Sequence, residues 1–422
     1  MSLFILFTTF VFLVLCTVPV AISLAIATLI TILSAGNLSV EFLVSSMINS
    51  LDSFPIMAVP FFILAGEIMG RGGISQRLVN FSHSLVKNIT GGFAIASILT
   101  CMLFAAISGS GPATVAAVGG IMIPAMIRYG YDKYFATAVV TAAGAIGVMI
   151  PPSIPMVMYG VAASTSIGDL FIAGIFPGIL VTLCLIIWSY IYAKHKGYKG
   201  SDEAFSFSQV FKEFKNAQLA LFIPVIILGG IYGGIFTPTE ASVVAVVYGL
   251  IISLFVYKEI TVKDLPAIFT KSILTSVIVL IIVASATAFG KYLSIEQIPT
   301  QVANAMLAFS ESKIVFITLM VALLLIVGCF METIAAIIIL TPLLVPVSTV
   351  FGFHPVHTGV IMVVSLAIGF ITPPLGLNLF VGASVAGISV DKLSKAIIPF
   401  FISMIVALFL IIYLPFLSLS MI

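Results

Sequence analysis

Two stretches of the 422-residue chain place a pair of prolines four residues after a glycine. They are Gly147-Val148-Met149-Ile150-Pro151-Pro152-Ser153 and Gly369-Phe370-Ile371-Thr372-Pro373-Pro374-Leu375. Proline has no N–H, so in a helix each pair leaves the carbonyls four residues back without a donor: Gly147 and Val148 in the first stretch, Gly369 and Phe370 in the second. In hydrocarbon such a carbonyl needs a new partner. A dehydrated Na⁺ is one such partner, and the hydroxyls of Ser153 and Thr372 could complete its oxygen shell. The other reading is a proline kink met by water or a neighbouring hydroxyl. A second kind of break is the tip Ser108-Gly109-Ser110-Gly111-Pro112-Ala113-Thr114, with Gly328-Cys329-Phe330-Met331-Glu332-Thr333 as its counterpart. Glycine relaxes the backbone there, hydroxyls offer oxygens or donors, and helix N-termini at such a tip suit a carboxylate. Ser110, Gly111, Thr114, Glu332 and Thr333, with Asn378 just past the second proline pair, are the substrate candidates. The competing reading of the tips is a tight turn of small residues that lets helices pack.

Other polar groups carry less. Thr237-Pro238-Thr239-Glu240 matches a capping box with proline at the first helical position. Glu332 and Glu67 are acids in apolar surroundings and so functional candidates, with a helix N-terminal role as the alternative for Glu332. His354 and His357 fall in a polar turn and read as solvated. Cys16, Cys101, Cys184 and Cys329 stand apart with no ligand spacing, so neither a disulfide framework nor zinc is expected. No Gly-x-x-x-x-Gly-Lys-Ser/Thr loop occurs, which argues against a nucleotide, and no haem is expected either. No His-Glu-x-x-His or Gly-x-Ser-x-Gly is found, which weakens an intramembrane hydrolase.

The elements that must position these residues are membrane helices. Hydrophobic residues make up 61% of the chain and charged ones 8%, too few to cover a soluble domain. At about 20 apolar residues per span there is room for ten or more crossings. The apolar runs are continuous rather than alternating, which excludes a β-barrel, and a net charge of +2 does not suggest a nucleic-acid partner. Residues 3–35 are apolar for too long to be a cleavable signal; they read as one crossing or two, broken at Pro19.

Shifting the chain by 222 positions pairs 106–177 with 328–399 without a gap. It superposes Pro124/Pro346, Pro151/Pro373, Pro152/Pro374 and Pro177/Pro399, and also Gly130/Gly352, Gly147/Gly369 and Asp169/Asp391. The turn Arg128 to Lys133 is basic and its counterpart Val350 to Pro355 is not; Asp391 is followed by Lys392 and Lys395, while Asp169 has no such neighbours. By the positive-inside rule the repeats are inverted. The expected layout is a first repeat over 1–193, a cytoplasmic linker over 194–216 and a second, inverted repeat over 217–422. It is an all-α polytopic fold in which each repeat contributes an amphipathic arm (Gly73 to Lys87; Ile295 to Phe309), a re-entrant hairpin and a broken helix. Inverted repeats with broken helices point to a secondary transporter.

With SGSGPATVAAVGG at 108–120, IPPSIP at 150–155, GIFTPTEA at 234–241, GFITPPLGLN at 369–378 and PFFILAGEIM at 60–69, the sequence resembles, over essentially its whole length, the large membrane (M) subunit of tripartite ATP-independent periplasmic (TRAP) transporters. The resemblance implies an ion-transporter-superfamily elevator fold in a bacterial inner membrane. It implies Na⁺-driven uptake of an organic acid, of the sialic acid or C4-dicarboxylate class, delivered by a periplasmic substrate-binding protein. It also implies a small four-helix membrane (Q) subunit, expected here as a separate chain. Carried onto this sequence, it places one Na⁺ site near Ser108, Gly147, Ile150 and Ser153, and another near Gly328, Gly369, Thr372 and Leu375. The alternatives are a stand-alone Na⁺/dicarboxylate-type symporter of the same superfamily and a passive anion channel.

Overall fold

A computed structural model of the chain describes residues 2–36, 38–200 and 205–422, with only the backbone of Ser2. Residues 201–204 of the expected linker lie outside the described residues. The described ones form helices and turns, with no strand among them.

The apolar stretch at the N-terminus is two helices. Thr17 takes a positive φ and Pro19 cannot extend the preceding helix, so Ser2–Leu15 and Val20–Ala35 are separate and pack side by side. Val40–Leu51 follows, and then Ala58–Arg71. From there the 222-residue offset sets out the architecture. Arm Ile74–Val86 matches arm Ile298–Phe309, and hairpin Gly92–Ser108/Gly111–Arg128 matches Lys313–Phe330/Thr333–Val350. Lys133–Gly144 with its single-turn extension Ala145–Val148 matches Pro355–Gly369. The helices after the breaks, Ile154–Ala162 and Leu377–Ala386, match in turn, as do Ile167–Lys196 and Val390–Tyr413. Each half also has framing helices: Phe207–Tyr232, Pro238–Ile251 and the 31-residue Leu265–Ile295 belong to the second.

Of the prolines that superpose in the repeat, only the tandem pairs break helices. Pro124, Pro177, Pro346 and Pro399 superpose as well as the pairs do, but they sit inside continuous helices. Neighbouring helices and local adjustment absorb a single proline in an apolar bundle. Two in succession remove two adjacent donors, and the helix stops.

The halves interlock. The second arm of the first hairpin packs on Leu377–Ala386, and the second arm of the second hairpin packs on Ile154–Ala162. Each break is therefore covered by elements of both halves. The two ends of the bundle differ in charge. Contacts Arg77–Glu259, Lys87–Gln209, Lys271–Glu67 and Lys133–Gly387, with Lys392 over the Tyr134 ring, tie the basic segments to one end. Of the 17 Lys and Arg residues, all but Lys291 and Lys313 lie on segments joined there. A girdle of rings fastens the same end, with Tyr131 4.4 Å from Tyr198 and Phe135 4.2 Å from Tyr192, as interfacial aromatics do. At the other end Thr239 bonds the Phe54 carbonyl at 3.0 Å, and the Tyr159 hydroxyl donates to the Pro355 carbonyl at 2.6 Å. The turns at Gly130 and Gly352 thus lie at opposite ends.

Candidate ion and substrate site

The first hairpin turns at Gly109, whose φ of +58° suits a residue without a Cβ. That tip is seated on the first broken helix. A Cβ on Gly147 would lie 2.6 Å from the Ser110 carbonyl oxygen and 2.7 Å from Thr114 Oγ1; one on Gly109 would lie 3.0 Å from the Pro152 oxygen. Ser108 and Thr114, both buried, share a hydrogen bond of 3.0 Å, and Thr114 Oγ1 donates to the Ser110 carbonyl at 2.7 Å. Ser153 caps the helix Ile154–Ala162, accepting from Met156 N, and gives its proton to the Val148 carbonyl at 2.5 Å. One of the two carbonyls expected to be freed is therefore met by a hydroxyl. The other, Gly147, receives no hydrogen bond among the described residues. Ile150 is buried beside it.

The second tip is seated the same way, backbone on backbone. A Cβ on Gly369 would lie 2.4–2.6 Å from the C, Cα and O of Gly328. Its donor accounts differ. The Gly369 carbonyl accepts from Thr372 N at 3.0 Å and the Phe370 carbonyl from Asn378 N at 3.0 Å. The pair expected to be orphaned thus has backbone partners and keeps only its second lone pairs. The Thr372 hydroxyl points back to the Ile368 carbonyl at 3.0 Å. Leu375 is 52% exposed and contributes no polar side-chain atom.

The substrate candidates fall into two groups. Ser110 and Thr114 stand against Gly147 of the first break, and Gly111 faces Phe370 of the second, whose ring would lie 3.2 Å from a Cβ on Gly111. Asn378 lies on the helix that packs against the second arm of the first hairpin: it is fully buried, its Nδ2 reaches the Thr141 carbonyl at 3.4 Å, and its Oδ1 has no partner among the described residues. Glu332 and Thr333 stay with their own hairpin. The Glu332 carboxylate caps its second arm, accepting from Ile334 N at 2.8 Å and Ala335 N at 3.2 Å, which is the helix N-terminal role. Thr333 is buried, and its Oγ1 has no partner among the described residues. Sequence reasoning passed over Thr141, which is fully buried, has no partner at Oγ1 among the described residues and is closest to a Cβ built on Gly382. A hydroxyl inside the small-residue run Thr141-Ala142-Ala143-Gly144 was its only signal.

Two further expectations are settled. Thr237 and Glu240 form a reciprocal capping box, a structural device. His357 is not solvated: it is buried on Pro355–Gly369 and shares a 2.6 Å hydrogen bond between Nδ1 and Ser418 Oγ, because the C-terminal turn folds over it.

Chemically, the first break offers neutral oxygens and one carbonyl without a donor among the described residues, the ligand type that a small hard cation takes. The tips and Asn378 offer amide and hydroxyl groups suited to a polar anion.

The family model for the DctM component of tripartite ATP-independent periplasmic transporters matches residues 7–417. An isethionate TRAP transporter permease protein of Oleidesulfovibrio alaskensis, DctMQ, is 50% identical over 94% of this chain, which spans 63% of that relative's length. The C4-dicarboxylate TRAP transporter large permease protein of Pseudomonas aeruginosa is 41% identical over 94% of this chain and 93% of its own. The sialic acid large permease protein of Vibrio cholerae is 37% identical over 94% and 93%. Among solved structures, the YdaH transporter of Alcanivorax borkumensis superposes with a TM-score of 0.62 at 14% identity, over 89% of this chain and 88% of that one, which supports the fold alone. With its hairpins, its two broken helices and a match along almost its entire length, this chain belongs to the DctM family of TRAP transporter large permeases.

Proposed function

We propose that this chain carries a small organic anion inward across a bacterial cytoplasmic membrane, driven by Na⁺, after receiving it from a periplasmic binding protein. The observation that carries this reading is the first break. Among the described residues the Gly147 carbonyl has no donor, and the Ser110 carbonyl and the Thr114 hydroxyl stand against the same glycine. Na⁺ takes that position, with Ser108, Ile150 and Ser153 completing the surroundings. A second Na⁺ uses the free lone pairs near Gly328, Gly369, Thr372 and Leu375. The anion lies between the tips, held by Ser110, Gly111, Thr114, Thr333 and Asn378.

We assign the basic end to the cytoplasm, since basic residues are retained on that side. Residues 1–193 and 217–422 are then two inverted repeats joined by a cytoplasmic linker. The hairpins and broken helices move as one body against the framing helices and arms, as an elevator. A small membrane subunit completes the assembly; the name DctMQ of the 50% identical relative supports one. That relative makes isethionate the first substrate to test, ahead of a C4-dicarboxylate or sialic acid.

The test is uptake into vesicles holding this chain and the small subunit, with the loaded binding protein outside. Uptake should need an inward Na⁺ gradient and rise with a negative interior. Equal uptake in Na⁺-free medium under a pH gradient would refute Na⁺ coupling. Equal uptake of free substrate by this chain alone would favour the stand-alone symporter, and flux indifferent to the gradient would favour a channel.

A further inference from the structure

A cavity of about 400 Å³ lies away from both hairpin tips, at the end of the bundle opposite the basic one. One wall belongs to the framing helices, with Asn49, Ser53, Thr287 and Lys291. The other belongs to the helix after the first break and to the second hairpin, with Ser164 and Ile338. A neighbouring cavity of about 410 Å³ shares Ser53, Val161 and Ser164, so the two form one crevice between the parts that our proposed function sets in relative motion.

Charge singles this crevice out. Lys291 stands twenty residues beyond Lys271 on one helix, about 30 Å along its axis. Of the two cations away from the basic end, Lys313 lies against Gly352 and Lys291 lines this cavity. No Asp or Glu lines either cavity, and among the described residues no carboxylate is within ion-pair distance of Lys291. The Asn49 amide and the hydroxyls of Ser53, Ser164 and Thr287 make no intramolecular hydrogen bond among the described residues. One unpaired ammonium ringed by uncommitted donors, over an apolar floor of Ile56, Val283 and Ile338, is complementary to a small anion with a short polar tail. The floor also leads inward: Ile338 is five residues, about 7.5 Å, along the same helix from Thr333 at the second tip.

We propose that this crevice is a reception site for a small organic monoanion, a sulfonate or carboxylate, with Lys291 as its counter-charge, occupied before the anion reaches the tips. It rests on the outward orientation given under the proposed function. A single cation there favours a monoanion over a dianion, whose second charge would stay uncompensated.

The test reads the site without transport. Ser294 is exposed, lines the cavity and lies one helical turn from Lys291. In the full chain carrying Ser294→Cys, the thiol is reacted with a negatively charged methanethiosulfonate sulfonate and with its trimethylammonium analogue, and the parent chain, whose Cys16 is exposed, gives the background. The anionic-to-cationic rate ratio should fall about tenfold on Lys291→Gln, as expected for a unit charge about 6 Å away in water, and be kept by Lys291→Arg. Isethionate should slow labelling at concentrations where succinate protects less. An unchanged ratio, or no protection, overturns the proposal, with a monodisperse elution profile showing that each variant is folded. In the full transport assay Lys291→Gln should raise the KM for loaded binding protein severalfold and leave the maximal rate alone; an unchanged KM also overturns it. Absence of Na⁺-driven uptake in the parent would refute the proposed function, while the labelling arm would still judge the site.

Discussion

Replacing Gly369 by alanine tests whether the seat of the second hairpin on its broken helix belongs to an ion site. The added Cβ would meet three backbone atoms of Gly328 at 2.4–2.6 Å, where ordinary contact starts at 3.4 Å. Backbone cannot rotate away as a side chain can, so hairpin and broken helix must separate by about 1 Å. Overpacking of this kind costs about 1–3 kcal/mol. If the tip closes on the broken helix only when the ion is bound, that strain falls on the loaded state. The Na⁺ concentration for half-maximal effect then rises about 5- to 150-fold. The assay is thermal unfolding of the purified chain over a Na⁺ series at constant ionic strength with K⁺, because an ion that binds only the folded state raises its stability with the logarithm of concentration. Two other glycines grade the expectation. A Cβ on Gly328 would meet the Leu366 oxygen at 3.0 Å, a tight contact, so Gly328→Ala should shift the midpoint less. Gly120 has nothing within 4 Å on the first hairpin, and Gly120→Ala should leave the midpoint unchanged. A folded Gly369→Ala protein with its Na⁺ midpoint within twofold of the parent would refute the reasoning, because the strained contact would then be equally present with and without the ion.

Three other outcomes follow from the geometry. Thr372→Ala removes a hydroxyl from the second break and should raise the Na⁺ needed for half-maximal uptake several-fold without touching the binding protein's affinity for substrate; the exposed Ser384→Ala should do little. Gly130 and Gly352 both hold positive φ, so labels for sidedness belong two residues earlier. A cysteine at Arg128 should react with an impermeant reagent from the cytoplasm and one at Val350 from outside, and reaction of both from one side would refute the inversion. Thr237→Ala should lower stability by about 1 kcal/mol through loss of the cap, with unchanged Na⁺ dependence; a changed Na⁺ midpoint would show that the Thr-Pro-Thr-Glu segment does more than cap.

What was legible in the sequence was backbone shape. Composition gave a polytopic helical protein, and the 222-residue offset located arms, hairpins and breaks because glycine and proline act on local φ, ψ and donors, which are readable without tertiary context. Superposition alone overvalued the prolines: Pro124 and Pro346 coincide as well as the pairs do, yet packing absorbs them. Long-range partners were out of reach. His357 is buried by a C-terminal turn sixty-one residues away, and Lys291 stands out only once the other basic residues are seen gathered at the far end. Thr141 was hidden for the same reason, since the Asn378 that reaches its carbonyl lies 237 residues further on.

The two breaks match in sequence but differ in how their carbonyls are met, and the difference has one source before each proline pair and one after it: Ile150 N bonds the Ile146 carbonyl and leaves Gly147 bare, whereas Thr372 N bonds the Gly369 carbonyl. After Pro152 the chain re-enters a helix at once, with Ser153 as its cap, so the Val148 carbonyl is met by the Ser153 hydroxyl and not by backbone. After Pro374 the helix resumes later, at Leu377. The interval gives Gly376 and Asn378 room to fold back, and their N–H groups bond the Thr372 and Phe370 carbonyls. Gly376 is required for that closure, because a Cβ there would lie 2.4 Å from the Phe370 oxygen. Two breaks alike in sequence are therefore an unequal pair, one with a bare carbonyl and one whose carbonyls already hold a donor each. On our reading the first site binds Na⁺ more tightly and fills first. The second, which must share its oxygens, is the one whose filling depends on the hairpin closing, and hence on the contact between Gly328 and Gly369.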